Sequence, residues 1–203
     1  MKVSIILGHP HEGSFNHAIA QRSKQTLLEN GYEVFYHDLY HDNFNPVILH
    51  EEIPEDGTVD PVIRKHCHEI SESDGIIIVH PNWWGQPPAI LKGWIDRVMR
   101  PGVAYKFEEG DKGEGIPIGL LKAKAALVFN TSNTFEEREL QVFGDPLERI
   151  WRDCVFGLCG VKTFYRKTYR VIVTSTFEER SEWLKDASDI VSQYFPLISV
   201  DER

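Results

Sequence analysis

The stretch GIIIVHPNWWGQPPAILKGWIDRV, residues 75–98, carries the reading of the fold. Its first six residues, GIIIVH, are continuous and β-branched with no polar alternation, the pattern of a strand covered on both faces. A helix is expected from Pro88 onward, through AILKGWIDRV. Between the two lies a loop of Pro, Asn and Gly that holds adjacent tryptophans, Trp83 and Trp84. An indole buries a large flat area and carries one N–H donor, so a pair beside a turn calls for a partner. The partner is the protein's own core, another subunit or a flat ligand.

Working outward, the same alternation fills the chain. VSIIL (3–7) reads as a buried strand, then helical spacing follows through Phe15, Ala18, Ile19 and Leu27 to a stop at Asn30-Gly31. EVFY (33–36) is a second strand, and residues 39–60 read as a long loop rich in Pro and acidic residues. Asp60-Pro61 caps a helix through Ile63, Cys67 and Ile70. After the quoted stretch, residues 101–119 form a Gly-rich excursion. AALVF (125–129) is a fourth strand, Asp145-Pro146 opens a helix ending at Gly160, and TYRVIV (168–173) is a fifth strand. Thr176 and Glu179 form a capping box for a last helix that stops at Pro196. The expected architecture is α/β: one domain over 1–203, a doubly wound five-stranded parallel sheet of order 2-1-3-4-5 with helices on both faces. In such a sheet the ligand crevice opens between the first and third strands.

Composition narrows the function. The net charge of −9, from 22 basic and 31 acidic residues, lacks the footprint of a nucleic-acid binder. The amino terminus has no signal-peptide pattern and the longest aliphatic run is far below membrane-spanning length, so a cytoplasmic chain without membrane insertion is expected. Cys67, Cys154 and Cys159 form no CxxC and are expected to be reduced thiols. Of the nine histidines, His66 with His68 and His37 with His41 lack metal-site spacing and read as solvated surface. The pairs Glu51-Glu52 and Glu136-Glu137 read as solvated too.

Two loops carry chemistry. GHPHEGSFN (8–16) offers free N–H groups at a helix start together with Ser14, Asn16 and His9, a phosphate cradle that is neither a P-loop nor a dinucleotide fingerprint. HPNWWGQP (80–87) suits a planar heteroaromatic. Phosphate at one end and a ring in the middle describe a flavin nucleotide.

The chain resembles the flavodoxin-like NAD(P)H:quinone oxidoreductases of the DT-diaphorase type, nearly end to end. The resemblance rests on Gly8-His9 with Ser14-Phe15-Asn16; on Asp42-Asn43-Phe44-Asn45-Pro46; on Pro81 to Trp84 leading into Pro88-Ala89-Ile90-Leu91-Lys92-Gly93-Trp94; and on Ala104-Tyr105 and Asp111-Lys112-Gly113. It implies a flavodoxin-like fold, FMN or FAD as cofactor, and NAD(P)H as hydride donor to a small-molecule electron acceptor. It implies phosphate and ribityl contacts from His9, Ser14, Phe15 and Asn16, and ring contacts from Pro81, Asn82, Trp83 and Trp84. Asn130, Thr131, Ser132 and Asn133, expected as the loop after the fourth strand, would face the pyrimidine edge. Tyr105 and Phe107 would roof the substrate pocket of a partner in a homodimer. The family's Thr-Thr-Gly-Gly is replaced here by Asn-Thr-Ser-Asn, and residues 134–143 contain neither the Tyr nor the His that the family uses to move a proton. No catalytic residue is therefore assigned. Two other classes compete: a flavin-bearing regulatory subunit of the potassium-efflux ancillary type, and a single-electron flavodoxin shuttle.

Overall fold

Ile76 and Ile78 pack into one core while Ile77 and Val79 pack into another, as a strand with helices on both faces requires. The computed structural model describes residues 1–54, 57–108 and 114–199. In chain order its elements are β1 (Lys2–Leu7), α1 (Phe15–Glu29), β2 (Glu33–Asp38), α2 (Pro61–Glu72), β3 (Gly75–Pro81) and α3 (Ala89–Val98). Next come β4 (Tyr105–Lys106), β5 (Ile118–Gly119), β6 (Ala125–Ser132), α4 (Glu136–Arg138), α5 (Pro146–Arg149), β7 (Thr163–Arg170) and α6 (Phe177–Tyr194). The main sheet is five-stranded and parallel, in the order β2-β1-β3-β6-β7 that the sequence predicts. β4 and β5 pair antiparallel inside the 101–119 excursion. Asp111, Lys112 and Gly113 lie outside the described residues.

One core holds the buried residues of α2 and α3 together with Trp151 and Phe156; the other holds those of α1 and α6. The chain thus leaves β1 for one face and β3 for the other, and the crevice between those two strand ends is the switch point. The helix boundaries follow their caps. Asp60 Oδ1 accepts from the Ile63 N–H at 3.0 Å with Pro61 in the first turn, and Thr176 and Glu179 make both halves of their capping box.

Four readings need correction. The fifth strand is Thr163–Arg170, earlier than 168–173, because Val171 turns the chain at φ 58° into a 3₁₀ turn. The helix from Asp145 is four α-helical residues that widen into a π-helical segment, Ile150–Gly157. Glu52 is buried rather than solvated, since the Arg97 guanidinium grips both of its carboxylate oxygens. Arg97 also bonds Asp60 and the Asn45 carbonyl, and Arg100 holds the carbonyls of Glu52 and Pro54, which fastens the long 39–60 loop onto α3. His37 and His66 are buried too, their rings 4.0 Å apart, with His37 on Glu69 and His66 accepting the Trp94 indole N–H. Among the described residues no helix is long and apolar enough to cross a membrane, and no cluster of His, Cys, Asp and Glu could hold a metal ion. Cys67 and Cys159 are buried and Cys154 exposed, all free thiols.

Candidate functional site

The amino-terminal end of α1 points at the switch point. Ser14 caps it in an extended conformation, its Oγ accepting from the His17 N–H at 3.3 Å. Ser14 Oγ also lies 2.9 Å from His17 Nδ1, and His17 Nε2 lies 2.8 Å from Asp38 Oδ2 at the end of β2. The first-turn N–H groups of a helix have no partners within it and sit at its positive end, so they favour an anion there. Asn16, in that turn, is buried; its Nδ2 donates to Thr131 Oγ1 at 2.9 Å, while its Oδ1 is sealed from solvent with no partner. His9 closes this end. Its Nδ1 accepts from the His11 N–H, its ring lies 6.3 Å from that of Trp83, and burial lowers its pKa.

The two tryptophans sit on a tight turn. Trp83 and Gln86 exchange backbone hydrogen bonds at 3.2 and 3.0 Å, and the corner residues Trp84 and Gly85 both have positive φ, 58° and 70°. Asn82 Oδ1 accepts from the Gly85 N–H at 2.9 Å. Gly85 is required twice over: by its φ, and because a Cβ there would stand 2.6 Å from Pro146 Cγ. Trp84 pays conformational strain for its place and is 99% exposed, whereas Trp83 is partly covered by its neighbours. The turn presents both indoles, and neither plugs the core.

Two adjoining cavities result. A cleft of about 360 Å³ is lined by His9, Ser14, Phe15 and Asn16 on one side and Pro81, Asn82 and Trp83 on the other, with Thr131, Ser132 and Asn133 at its floor. A second chamber of about 500 Å³ has Trp84, Gly85, Phe143, Pro146 and Glu139 in its wall; Asn82 and Thr134 line both spaces. Ten of the twelve predicted cofactor residues therefore meet in one cleft, and Trp84 stands in the chamber beside it.

Asn130 does not join them. Residues 130–132 belong to β6 rather than to a loop, and Asn130 is taken up by His80 and Arg166 inside the fold while Thr131 meets Asn16 at the crevice. Asn130 is fully buried and donates through Nδ2 to the ring Nε2 of His80 at 2.9 Å and to the His80 carbonyl at 3.1 Å. Its Oδ1 accepts from Arg166, which also binds Asp145 and Glu148. This network ties β3, β6, β7 and α5 together behind the tryptophan turn. No spacing rule exposes it, since its members are scattered from residue 80 to residue 166. Tyr105 and Phe107 contact each other edge-on at 5.8 Å, and neither lines the cleft or the chamber of their own chain. Sequence reasoning also missed Glu139, buried in the chamber wall within a π-helical turn, Glu139–Phe143; its neighbours in sequence, Glu136 and Glu137, are exposed as expected.

Comparison with known proteins agrees with this fold. The family model described as flavodoxin-like fold matches residues 1–190. The chain is 40% identical over 163 residues to an uncharacterized NAD(P)H oxidoreductase of Haemophilus influenzae, covering 78% of each. It is 31% identical over 179 residues to NAD(P)H dehydrogenase [quinone] 1 of Rattus norvegicus, covering 77% of this chain and 64% of that one. Among solved structures, an NAD(P)H:quinone oxidoreductase from Methanothermobacter marburgensis matches at a TM-score of 0.79 and 25% identity, covering 94% of this chain and 97% of that one.

Proposed function

The chain belongs to the flavodoxin-like fold family, and from that premise we propose that it is a flavin-dependent NAD(P)H oxidoreductase reducing a quinone or similar two-electron acceptor. One observation carries the reading: the 360 Å³ cleft gathers an anion-seeking helix end, a strained aromatic turn and the hydroxyl-bearing end of β6 around one space. When bound, the flavin would supply two-electron chemistry, taking a hydride from nicotinamide and passing it on.

The residues present suit that group. The Oδ1 of Asn16, a residue of the cleft wall, has no hydrogen-bond partner. Rotating the amide half a turn would let the Thr131 hydroxyl donate to Oδ1, because a hydroxyl serves either way, and a shift of the freed Nδ2 toward the helix end would offer its N–H donors to the phosphate. His9 and Ser14 would hold the same end, with Phe15 beside them. Pro81, Asn82 and Trp83 would carry one side of the ring, and Thr131, Ser132 and Asn133 its polar edge, where donors favour the negative charge that reduction leaves. FMN would fit between the helix end and the tryptophans, and FAD would need further room for its adenosine. The acceptor and the nicotinamide would use the chamber beside Trp84 in turn.

The reading takes the protein as a cytoplasmic homodimer in which Tyr105 and Phe107 reach the second copy. Ile116 and Ile118, exposed beside them, give that excursion an apolar face. The test is an absorption spectrum of the purified protein, mass spectrometry of whatever heat releases, and NAD(P)H oxidation with benzoquinone. A yellow protein releasing FMN or FAD and turning over is expected. A colourless preparation that takes up neither flavin overturns the proposal, and bound flavin with negligible turnover returns the redox-sensing subunit.

A further inference from the structure

The chamber beside the cleft contains a group that its apolar wall does not explain. Glu139 is 2% exposed, and its Oε1 is closed off from solvent with no hydrogen-bond partner. A buried carboxylate oxygen without a donor is costly, and an aliphatic side chain there would avoid the cost. The backbone beneath it is tied at both ends: the Glu139 N–H donates to the Phe135 carbonyl at 3.1 Å, and the Asp145 N–H to the Glu139 carbonyl at 3.2 Å. Asp145 is itself clamped by Arg166. The carboxylate is thus held in the wall beside Trp84, Phe143 and Pro146, in a space of about 500 Å³ that shares Asn82 and Thr134 with the cleft.

We infer that Glu139 is a specificity-determining residue whose carboxylate turns the now sealed Oε1 into the chamber to receive an N–H or O–H donor carried on the ring of a flat aromatic substrate. The inference rests on reading the neighbouring cleft as the flavin site, because that makes the chamber the place where substrate arrives. Its chemistry is independent of the cofactor. Trp84, Phe143 and Pro146 give a ring its contact area without discriminating among rings. The unmatched acceptor does discriminate: a substrate with a donor satisfies it, and one without leaves it buried and unpaired. The enzyme would therefore prefer amino- or hydroxyl-substituted aromatics over their methyl counterparts of the same size.

The experiment compares 2-amino-1,4-naphthoquinone with 2-methyl-1,4-naphthoquinone, of similar shape and differing in the donor. Dissociation constants are measured by calorimetry on the purified protein as isolated, in the wild type, Glu139→Gln and Glu139→Leu. The wild type should bind the amino compound about tenfold more tightly, the scale of a hydrogen bond to a charged acceptor. Glu139→Leu should bring the two constants together. Glu139→Gln keeps an acceptor without charge and should reduce the preference by about threefold or more, which decides the matter if the leucine variant fails to fold. Equal constants in the wild type, no binding of either quinone, a preference that survives in folded Glu139→Leu, or one undiminished in folded Glu139→Gln overturns the inference. The flavin spectrum of the same samples keeps the two readings apart. A colourless protein that still shows the Glu139-dependent preference fails the proposed function alone; a yellow one without it fails this inference alone.

Discussion

The indole N–H of Trp151 donates to Nε2 of His80 at 2.9 Å, so a side chain of the π-helical segment fixes the state of a histidine near the carboxyl end of β3. Because Nε2 accepts, the ring proton sits on Nδ1, which donates to the Pro81 carbonyl at 2.8 Å. His80 is thus neutral in the folded protein, and burial pushes its pKa down to about 4.

Stability should therefore fall in mild acid. His37 is likewise lowered to about 4 and His66 to about 3, both chiefly by burial, from an ordinary value of 6.5. Between those limits the unfolded chain binds protons that the folded one refuses. Folding is fully supported above about pH 6.5 and loses support as pH drops toward 4, by up to about 1.4 kcal/mol per pH unit for each histidine. Urea midpoints measured from about pH 7 to about pH 5 should decline steadily. A level profile contradicts the burial of these rings.

Arg97→Met should destabilise by about 3–5 kcal/mol, because it strands the Glu52 carboxylate in the interior. The double variant Arg97→Met, Glu52→Leu should recover most of that loss. Chemical denaturation reads both, and a double variant as unstable as the single one would show that the pair does more than neutralise itself.

Gly85→Ala should cost on the order of 1–3 kcal/mol, from a methyl group at positive φ pressed toward Pro146. Flavin release should rise with it, since the turn carrying Trp83 must shift. Thermal melting and flavin content after gel filtration are the measurements. Neither changing would place the turn elsewhere in solution.

The tryptophans should separate by role. Trp83 lines the cleft and Trp84 the chamber. Trp83→Ala should loosen the flavin, whereas Trp84→Ala should raise the acceptor KM with the flavin retained. The reverse pattern, from flavin titration and steady-state kinetics, would exchange the two assignments.

Asn16→Leu should weaken flavin binding by about tenfold or more, because it deletes the amide proposed to reach the phosphate and with it the hydrogen bond to Thr131 Oγ1. Calorimetry with FMN on flavin-free protein measures it. Unchanged affinity removes Asn16 from the site.

What sequence determines here is periodic or local. Ile76 to Val79 announce a doubly covered strand because a continuous β-branched run has no exposed face to mark. The caps at Asp60 and Thr176 are legible because each needs a side chain three residues from its N–H partner. The cleft residues of 9–16 and 81–83 were legible in two short loops, since the cap at Ser14 and the turn at Trp83 and Gln86 are each closed by local hydrogen bonds. The motif segments Asn45-Pro46 and Lys92-Gly93-Trp94 occur together for a reason the structure supplies: a Cβ on Gly93 would stand 2.2 Å from the Pro46 carbonyl oxygen.

Tertiary structure alone decided which polar residues leave the surface. Glu52, His37 and His66 look solvated because nothing local says that Arg97, Glu69 and Trp94 will meet them. Asn130 leaves the crevice because β6 runs on to Ser132, which carries residue 130 into the sheet interior where His80 and Arg166 bind it. Glu139 shares its acidic surroundings with two exposed glutamates, and only the packing of Trp84, Phe143 and Pro146 distinguishes it. Burial of charge is set by contacts between distant segments, and a local pattern contains no record of those contacts.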